Sequence, residues 1–311
     1  MADSVSYAPV VIFVYNRVNE IRELIESLSQ DLLAKDHEVF VFSDGPRDRE
    51  DEIKVNAVRE YVDTLPGKGL FKKVIVTKSQ RNKGLASSVI DGVSEIIGKY
   101  GRVIVLEDDL TVSGVFLTYM NRCLDFYDDD KRIWSISGHS PDIKAAKACK
   151  KNIYLSYRAS STGWGTWKDR WELTDWKVKD YRMFSLNPVA TMRFCRGGND
   201  LPSMLRAQRR GQIDSWAVRW CYSQSRHNMF SVAPVTTLVL IGGYDGNGTN
   251  SRIEDKRFLS NEQLGDTVQD WCYPNPEPDR NVTGELYEHY RAGRKDLILN
   301  ELRYWKHRFI K

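Results

Sequence analysis

The 311-residue sequence lacks several features that would each point to a class of protein. It has only five cysteines, which are widely scattered, and none forms a C-x-x-C pair. This pattern argues against a zinc site and against a secreted disulfide framework. No apolar run approaches membrane-spanning length, and the first residues lack the basic and apolar regions of a signal peptide. We therefore expect a reducing, cytoplasmic setting.

An excess of charge of one sign is also missing. Lysine and arginine number 46 against 42 aspartate and glutamate, which gives a formal net charge of +4. A balance this mild does not require a nucleic-acid partner, and we expect none, although it suits anionic ligands such as nucleotide phosphates.

Two glycine-rich motifs are absent near the first apolar run. No G-x-G-x-x-G follows it, which disfavours a Rossmann oxidoreductase. A sugar nucleotidyltransferase would carry a phosphate loop rich in glycine and arginine at this point, and residues 16–20 contain no glycine. The sequence therefore disfavours both enzyme classes.

What the first 110 residues do contain is an alternation of strand and helix patterns. Apolar runs of β-forming residues predict strands at 9–15, 38–43, 71–77 and 103–106. Apolar residues at helical spacing predict helices at about 19–28, 55–65 and 85–97, with Asn19 as the cap of the first. Such units predict an α/β fold with a mostly parallel central sheet and helices on both faces. Ligands of such sheets bind beyond the carboxyl ends of the strands.

The second half of the chain is less regular. It predicts strands at 133–137, 153–157 and 233–241, a tight aromatic turn at 163–167, and a loop at 242–251. The basic, amphipathic segment 284–311 predicts a helix that either packs on the domain or contacts an anionic membrane surface. We expect one domain at 5–254 and a C-terminal helical extension at 255–311. The tryptophans between Trp134 and Trp220 either fill a core or line a sugar-acceptor cleft.

Three consecutive carboxylates, Glu107, Asp108 and Asp109, follow the fourth predicted strand. Like charges this close repel one another and raise one another's pKa, and a divalent cation relieves that repulsion. Carboxylate oxygens suit Mg²⁺ or Mn²⁺, which commonly share their coordination with substrate phosphates. A plain polar turn is the alternative, but the position at a strand end favours a metal site with Asp109 as the direct ligand. If the ligand is a nucleotide that carries a sugar, we expect Asp108 to contact its ribose or its sugar. We expect Glu107 to contact the same sugar, the donor sugar, or to lie behind it.

Several segments together resemble the glycosyltransferases of the GT-A fold, in particular the N-acetylglucosaminyltransferase I group. The run VIVLEDDLTV at 103–112 resembles the strand and E-D-D triplet of that group. Six further segments occur in matching order, namely VYNR (14–17), SD (43–44), IWSISGH (133–139), SSTGWGTW (160–167), IDSWAVR (213–219) and PVTT (234–237). The resemblance covers about residues 9 to 252.

This resemblance implies a metal-dependent, inverting transfer from a nucleotide-diphospho-sugar, and the expected donor is a UDP-sugar such as UDP-N-acetylglucosamine. The acceptor would be a glycan or a lipid-linked glycan, in surface polysaccharide synthesis. It further implies donor-binding roles for a set of residues at strand ends and in the glycine-rich segments. These are Arg17, Asp44, Trp164, Gly165, Thr249 and Ser251, and Lys83 is a further candidate.

An acceptor hydroxyl needs a general base to become a good nucleophile. Asp214, in the IDSWAVR segment, is the candidate, because partial burial beside Trp216 can raise its pKa. The alternative is that Asp214 caps a helix, and Asp169 is the reserve candidate for the base. A non-catalytic sugar-binding protein on the same fold would keep the sheet without a working base.

Overall fold

The computed structural model describes residues 7–148, 151–242 and 263–293. The strands are β1 (Val10–Val14), β2 (Glu38–Ser43), β3 (Lys73–Lys78), β4 (Arg102–Glu107), β5 (Leu110–Val112), β6 (Ile133–Ser137), β7 (Ile153–Ser156), β8 (Trp164–Trp167), β9 (Phe230–Pro234) and β10 (Val239–Ile241). The helices are α1 (Val18–Ser29), α2 (Arg49–Asp63), α3 (Leu85–Tyr100), α4 (Phe116–Phe126), α5 (Lys144–Ala148), α6 (Lys168–Glu172), α7 (Tyr181–Ser185), α8 (Pro188–Cys195), α9 (Leu201–Arg209), α10 (Trp216–Arg226) and α11 (Arg280–His289).

Eight of these strands form one sheet in the order β3-β2-β1-β4-β8-β6-β9-β7. Strands β1 to β4 are parallel, β8 runs antiparallel between β4 and β6, and β7 is antiparallel to β9 at the edge. The remaining two, β5 and β10, form a separate antiparallel ribbon. The predicted α/β class, with a mostly parallel sheet, is confirmed.

The side chains of β1 show why helices cover both faces of this sheet. Val10, Ile12 and Val14 pack into a core with α1, α2 and α4, whereas Val11 and Phe13 pack into a second core with α3 and α10. Successive side chains on a strand point to opposite faces, so a strand that is apolar at every position must be covered on both sides.

Three predictions of local structure were wrong. Residues 163–167 are not a turn, because Trp164–Trp167 is the central strand β8. The single strand predicted at 233–241 is instead two strands, β9 and β10, which belong to different sheets. Asn19 is not a helix cap, since α1 begins at Val18 with Arg17 at the cap position. In the two strand cases pairing with distant residues decided the outcome, which local pattern does not show.

The tryptophans of the second half form a packed cluster. Trp134, Trp164, Trp171, Trp216 and Trp220 are each at most 3% exposed. Their ring centroids lie 4.2 to 5.7 Å apart in the contacts between them. The core-filling alternative is therefore confirmed for these five residues, although Trp216 also lines a cavity.

The described part of the C-terminal region packs on the sheet. Trp271 makes an edge contact with Tyr119 at 5.3 Å between centroids, and the Glu285 carboxylate accepts hydrogen bonds from the Lys144 and Ala145 backbone N–H groups. The predicted helix at 284–311 is observed only in part, as α11, and its residues beyond 293 lie outside the described ranges. The domain boundary near residue 254 stays a prediction. No described helix is both long enough and apolar enough to cross a bilayer.

Candidate active site at the strand ends

The carboxyl ends of β1, β2 and β4 lie side by side and bring three polar segments together. Phe13 is in register with Glu107, and Val14 is in register with Ser43. Arg17, Asp44 and the acidic triplet therefore gather at one edge of the sheet, where the parallel topology predicts a ligand site.

Arg17 joins β1 to the acidic triplet. Its Nη1 atom donates to Asp109 Oδ2 at 2.7 Å and lies 3.9 Å from Asp108 Oδ1. Asp108 Oδ2 accepts a hydrogen bond from the Tyr15 backbone N–H at 3.0 Å. Burial alone would lower the pKa of Arg17, but Asp108 and Asp109 raise it. The guanidinium is therefore held charged beside these carboxylates.

The triplet carries more negative charge than Arg17 offsets. Burial, with the added repulsion of Asp109 and Asp108, raises the pKa of Glu107 to about 8. Burial and the repulsion of Asp109 raise the pKa of Asp108 to about 7. These shifts mean that ionising the Glu107 and Asp108 carboxyl groups is unfavourable in this site. An added cation would stabilise their ionised forms.

The residues at this edge fit a divalent ion shared with a phosphate ligand. Among the described residues, no three His, Cys, Asp or Glu side chains converge as an all-protein metal cage. Mg²⁺ seldom uses such a cage, since it is usually bound by one or two carboxylates plus phosphate oxygens and water. Asp109, partly exposed beside two further acids, supplies such a carboxylate.

Asp44 ties the end of β2 to the loop before α3. Its carboxylate accepts hydrogen bonds from the backbone N–H groups of Gly45, Lys83 and Gly84, at 2.8 to 3.1 Å. Gly45 fits closely against the same loop, because an added Cβ would lie 2.4 Å from the Arg81 carbonyl carbon. Asp44 thus fixes the shape of the loop, and its contact with a nucleotide stays a prediction.

A cavity of about 1020 Å³ opens beside the triplet. Its wall includes Glu107 at one side, Asp214 and Trp216 from the start of α10, and the 160–162 segment. Hydroxyl-bearing side chains are frequent in the wall and comprise Ser137, Tyr154, Ser156, Ser160, Ser161, Thr162, Ser215, Ser231 and Tyr290. Among the described residues of this wall, Glu107 and Asp214 are the only carboxylates.

Asp214 lies at the cavity but is not buried as expected. Its side chain is 61% exposed, and Arg219 Nη2 donates to its Oδ1 at 3.0 Å. The helix-cap alternative is wrong, because Ser215 is the N-cap of α10 and its Oγ accepts from the Val218 N–H. Asp169, the reserve candidate, does not line the cavity and pairs with Lys131 and Arg170.

Arg158, a residue of the cavity wall, is held by an ion pair and a ring contact. Arg158 binds the Asp200 carboxylate through both terminal nitrogens, at 2.9 and 3.1 Å, and stacks 4.4 Å from the Tyr290 ring centre. Asn199 exchanges two hydrogen bonds with the backbone of Ala292. These contacts hold the segment after α11 in place as part of the wall. The sequence did not reveal these contacts, because Arg158 and Asp200 are 42 residues apart and follow no motif.

The remaining residues predicted to bind the donor are Trp164, Gly165, Lys83, Thr249 and Ser251, and none of them is found at the cavity wall among the described residues. Trp164 is 1% exposed, and Gly165 packs so closely that an added Cβ would lie 2.9 Å from Met120 Cε and Val103 O. Neither lines the cavity, so we give both a packing role. The Lys83 side chain is half exposed and pairs with Asp91 at 3.3 Å. Thr249 and Ser251 lie outside the described residues.

Comparison with known proteins bears on this site. A family model described as Glycosyl transferase family 2 matches residues 10–183, which is more than half of the chain and includes the triplet and Arg17 but not Asp214. No curated protein matches the chain. Among solved structures, S. aureus TarS is similar at 16% sequence identity and a TM-score of 0.34, over 50% of this chain and 28% of TarS. The chain thus spans less than a third of TarS, and a likeness at this level supports no argument.

Proposed function

Because the chain belongs to glycosyl transferase family 2, we propose that it transfers a sugar from a nucleotide-diphospho-sugar to a hydroxyl of a glycan acceptor, with inversion. The observation that carries this proposal is one cavity lined by both Glu107 of the acidic triplet and Asp214. A donor held at the triplet and an acceptor held near Asp214 would meet inside it.

The strand ends supply the donor side of the proposed site. Arg17 can pair with a phosphate oxygen, since a guanidinium forms two parallel hydrogen bonds to such a group. Asp109 would hold a Mn²⁺ or Mg²⁺ ion, and Asp108 and Glu107 would contact the ribose and the sugar. When bound, the ion would neutralise the charge that develops on the leaving diphosphate. UDP-N-acetylglucosamine is the first donor to test.

Asp214 supplies the general base. In an inverting displacement, the acceptor oxygen attacks the anomeric carbon, the bond to the diphosphate breaks, and the hydroxyl proton passes to the base. Two observations support this role: Asp214 lines the cavity, and its carboxylate accepts a hydrogen bond from Arg219. The position of Asp169 outside the wall favours Asp214 over it.

The remaining wall suits a sugar acceptor. Hydroxyl side chains such as those of Ser160, Ser161 and Thr162 can exchange hydrogen bonds with sugar hydroxyls, and Leu201 and Met204 offer apolar surface to C–H faces. The Arg158–Asp200 pair balances its own charge, so the wall recognises neutral groups as readily as anionic ones. A glycan or lipid-linked glycan in surface polysaccharide synthesis fits this chemistry.

A donor screen tests the proposal. Purified protein is mixed with each nucleotide sugar and Mn²⁺, and release of the nucleoside diphosphate is measured with and without a chelator. We expect release from one donor, and loss of that release when the chelator is added. If no donor shows metal-dependent binding or turnover, the proposed enzyme is excluded. Binding without turnover would favour the alternative, a sugar-binding protein without catalysis.

A further inference from the structure

A cluster of large apolar side chains projects into solvent from α7 and α8. Met183, Leu186, Val189 and Met192 are 78, 77, 59 and 63% exposed, all within residues 183–192. Most other exposed large apolar residues that the structure describes, such as Leu32 and Ile53, are far apart along the chain. Scattered exposure is normal for a soluble surface, whereas a concentration of this kind marks an interaction site.

The exposed cluster rests on an ordered support. Phe184 and Phe194, on the opposite side of the two helices, are buried and make edge contacts with Tyr222 of α10. Asn187 caps α8, accepting a hydrogen bond from the Ala190 N–H, and Pro188 occupies the first turn. The helices are thus anchored by one apolar face while a second apolar face stays in solvent.

The charge around this surface is positive. Residues 181–199 include Arg182, Arg193 and Arg196 but no aspartate or glutamate, and Arg182 and Arg193 are exposed. The acids that flank the segment are already paired: Asp180 with Tyr222 and Arg226, and Asp200 with Arg158. An apolar patch rimmed by arginines complements a layer of anionic headgroups above acyl chains.

We propose that the 182–193 surface docks on an anionic lipid bilayer. The four apolar side chains would enter the headgroup–acyl boundary, and Arg182 and Arg193 would bind lipid phosphates. This docking stands apart from catalysis. One consequence does rest on the proposed function: α9 follows directly and contributes Leu201 and Met204 to the cavity wall. A docked protein would therefore hold its cavity close to a lipid-linked acceptor.

Vesicle flotation of the full chain tests the proposal. The vesicles are either neutral phosphatidylcholine or phosphatidylcholine with phosphatidylglycerol. One variant carries Met183→Ser, Leu186→Ser, Val189→Ser and Met192→Ser, and a second carries Arg182→Glu and Arg193→Glu. A matched control carries Leu32→Ser and Ile53→Ser, which removes apolar groups of similar exposure from elsewhere on the surface. Circular dichroism and thermal melting check that each variant folds.

We expect the wild type and the control to bind anionic vesicles, with binding weakening as salt is raised. The serine variant should bind at least about tenfold more weakly, and the variant that loses both arginines should bind at least about 25-fold more weakly, at about fivefold for each arginine. Wild-type binding by the serine variant would overturn the proposal. The proposal would also be overturned if the wild type does not bind vesicles but forms a dimer that the serine substitutions dissociate. The 182–193 surface would then bind a second copy of the chain and not a bilayer. Donor turnover, measured without vesicles, is unaffected in either case and tests the proposed function separately.

Discussion

The two parts of the proposed site, the strand-end edge and the cavity beside it, are built in different ways. The proposed donor side consists of loops at the ends of neighbouring parallel strands, and backbone N–H groups fix its carboxylates, as at Asp44 and Asp108. The proposed acceptor side combines side chains from distant parts of the chain, since Arg158 forms an ion pair with Asp200 and stacks on the Tyr290 ring.

This difference separates a generic function from a specific one. A nucleotide diphosphate presents the same groups to every enzyme that binds it, and a preorganised charged edge suits that constancy. Acceptors differ, and a wall of side chains can change without disturbing the sheet. We therefore expect substitutions on the donor side to affect binding of the nucleotide, and those on the acceptor side to affect transfer.

Asp109→Asn should produce the largest effect. Loss of the charged ligand should lower kcat/KM by at least about a thousandfold, because the leaving diphosphate loses its cation. Calorimetric titration of the donor should show binding lost together with turnover. Asp63→Asn is the matched control, since Asp63 forms an exposed pair with Lys78 and is not part of the acidic triplet. Full donor binding by the Asp109 variant would mean that the donor side is not where we place it.

Asp214→Asn should separate the two sides most sharply. Removing the base should lower kcat on the order of a hundredfold and leave the donor dissociation constant unchanged. Steady-state kinetics would measure kcat, and calorimetric titration of the donor would measure its dissociation constant. Asp169→Asn should retain wild-type kcat. An Asp214 variant with normal kcat would assign the base to another residue.

Asp44→Asn should test how far preorganisation matters. An amide offers one acceptor oxygen in place of two, so some of the three backbone N–H groups would lose their partner. We expect a stability loss of about 1–3 kcal/mol and a raised KM for the donor with little change in kcat. Urea denaturation and steady-state kinetics measure the two effects. A variant with normal stability would show that the loop does not depend on this carboxylate.

Two glycine substitutions should give small effects of opposite sign. Gly45→Ala would force the added Cβ against the Arg81 backbone and should cost about 1–3 kcal/mol. Gly98 lies within α3, and a Cβ added there would have no atom within 4 Å. Gly98→Ala should therefore stabilise the protein by about 0.5–1 kcal/mol, because alanine is the better helix former. Thermal unfolding of both variants provides the comparison, and equal melting temperatures would contradict it.

The strand-end edge of the proposed site was predictable from the sequence, whereas much of the cavity wall was not. The strands β1, β2, β4 and β6 and the edge that holds Arg17 and the triplet were predictable, because continuous apolar runs and parallel topology determine them locally. The strand β8 was not, since Trp164–Trp167 becomes a strand only through pairing with β4 and β6. The role of Trp164 and Gly165 in packing followed from that same pairing. The Arg158–Asp200 pair depended on tertiary contacts that no local motif reveals.

The likeness to the N-acetylglucosaminyltransferase I group stays a prediction, as does the choice of a UDP-sugar. The family match includes the donor side and ends at residue 183, before Asp214 and the wall formed by α9 and α11. The proposed acceptor side therefore lies partly inside the match, with Arg158 and residues 160–162, and partly outside it, with Asp214.

The central claim is that the acidic triplet accepts a diphosphate only together with a divalent cation. Calorimetric titration of UDP into the protein, with Mn²⁺ and then with the ion stripped by a chelator, tests it most directly. We predict binding in the presence of Mn²⁺ and none measurable without it. Equal affinity under the two conditions would contradict the claim.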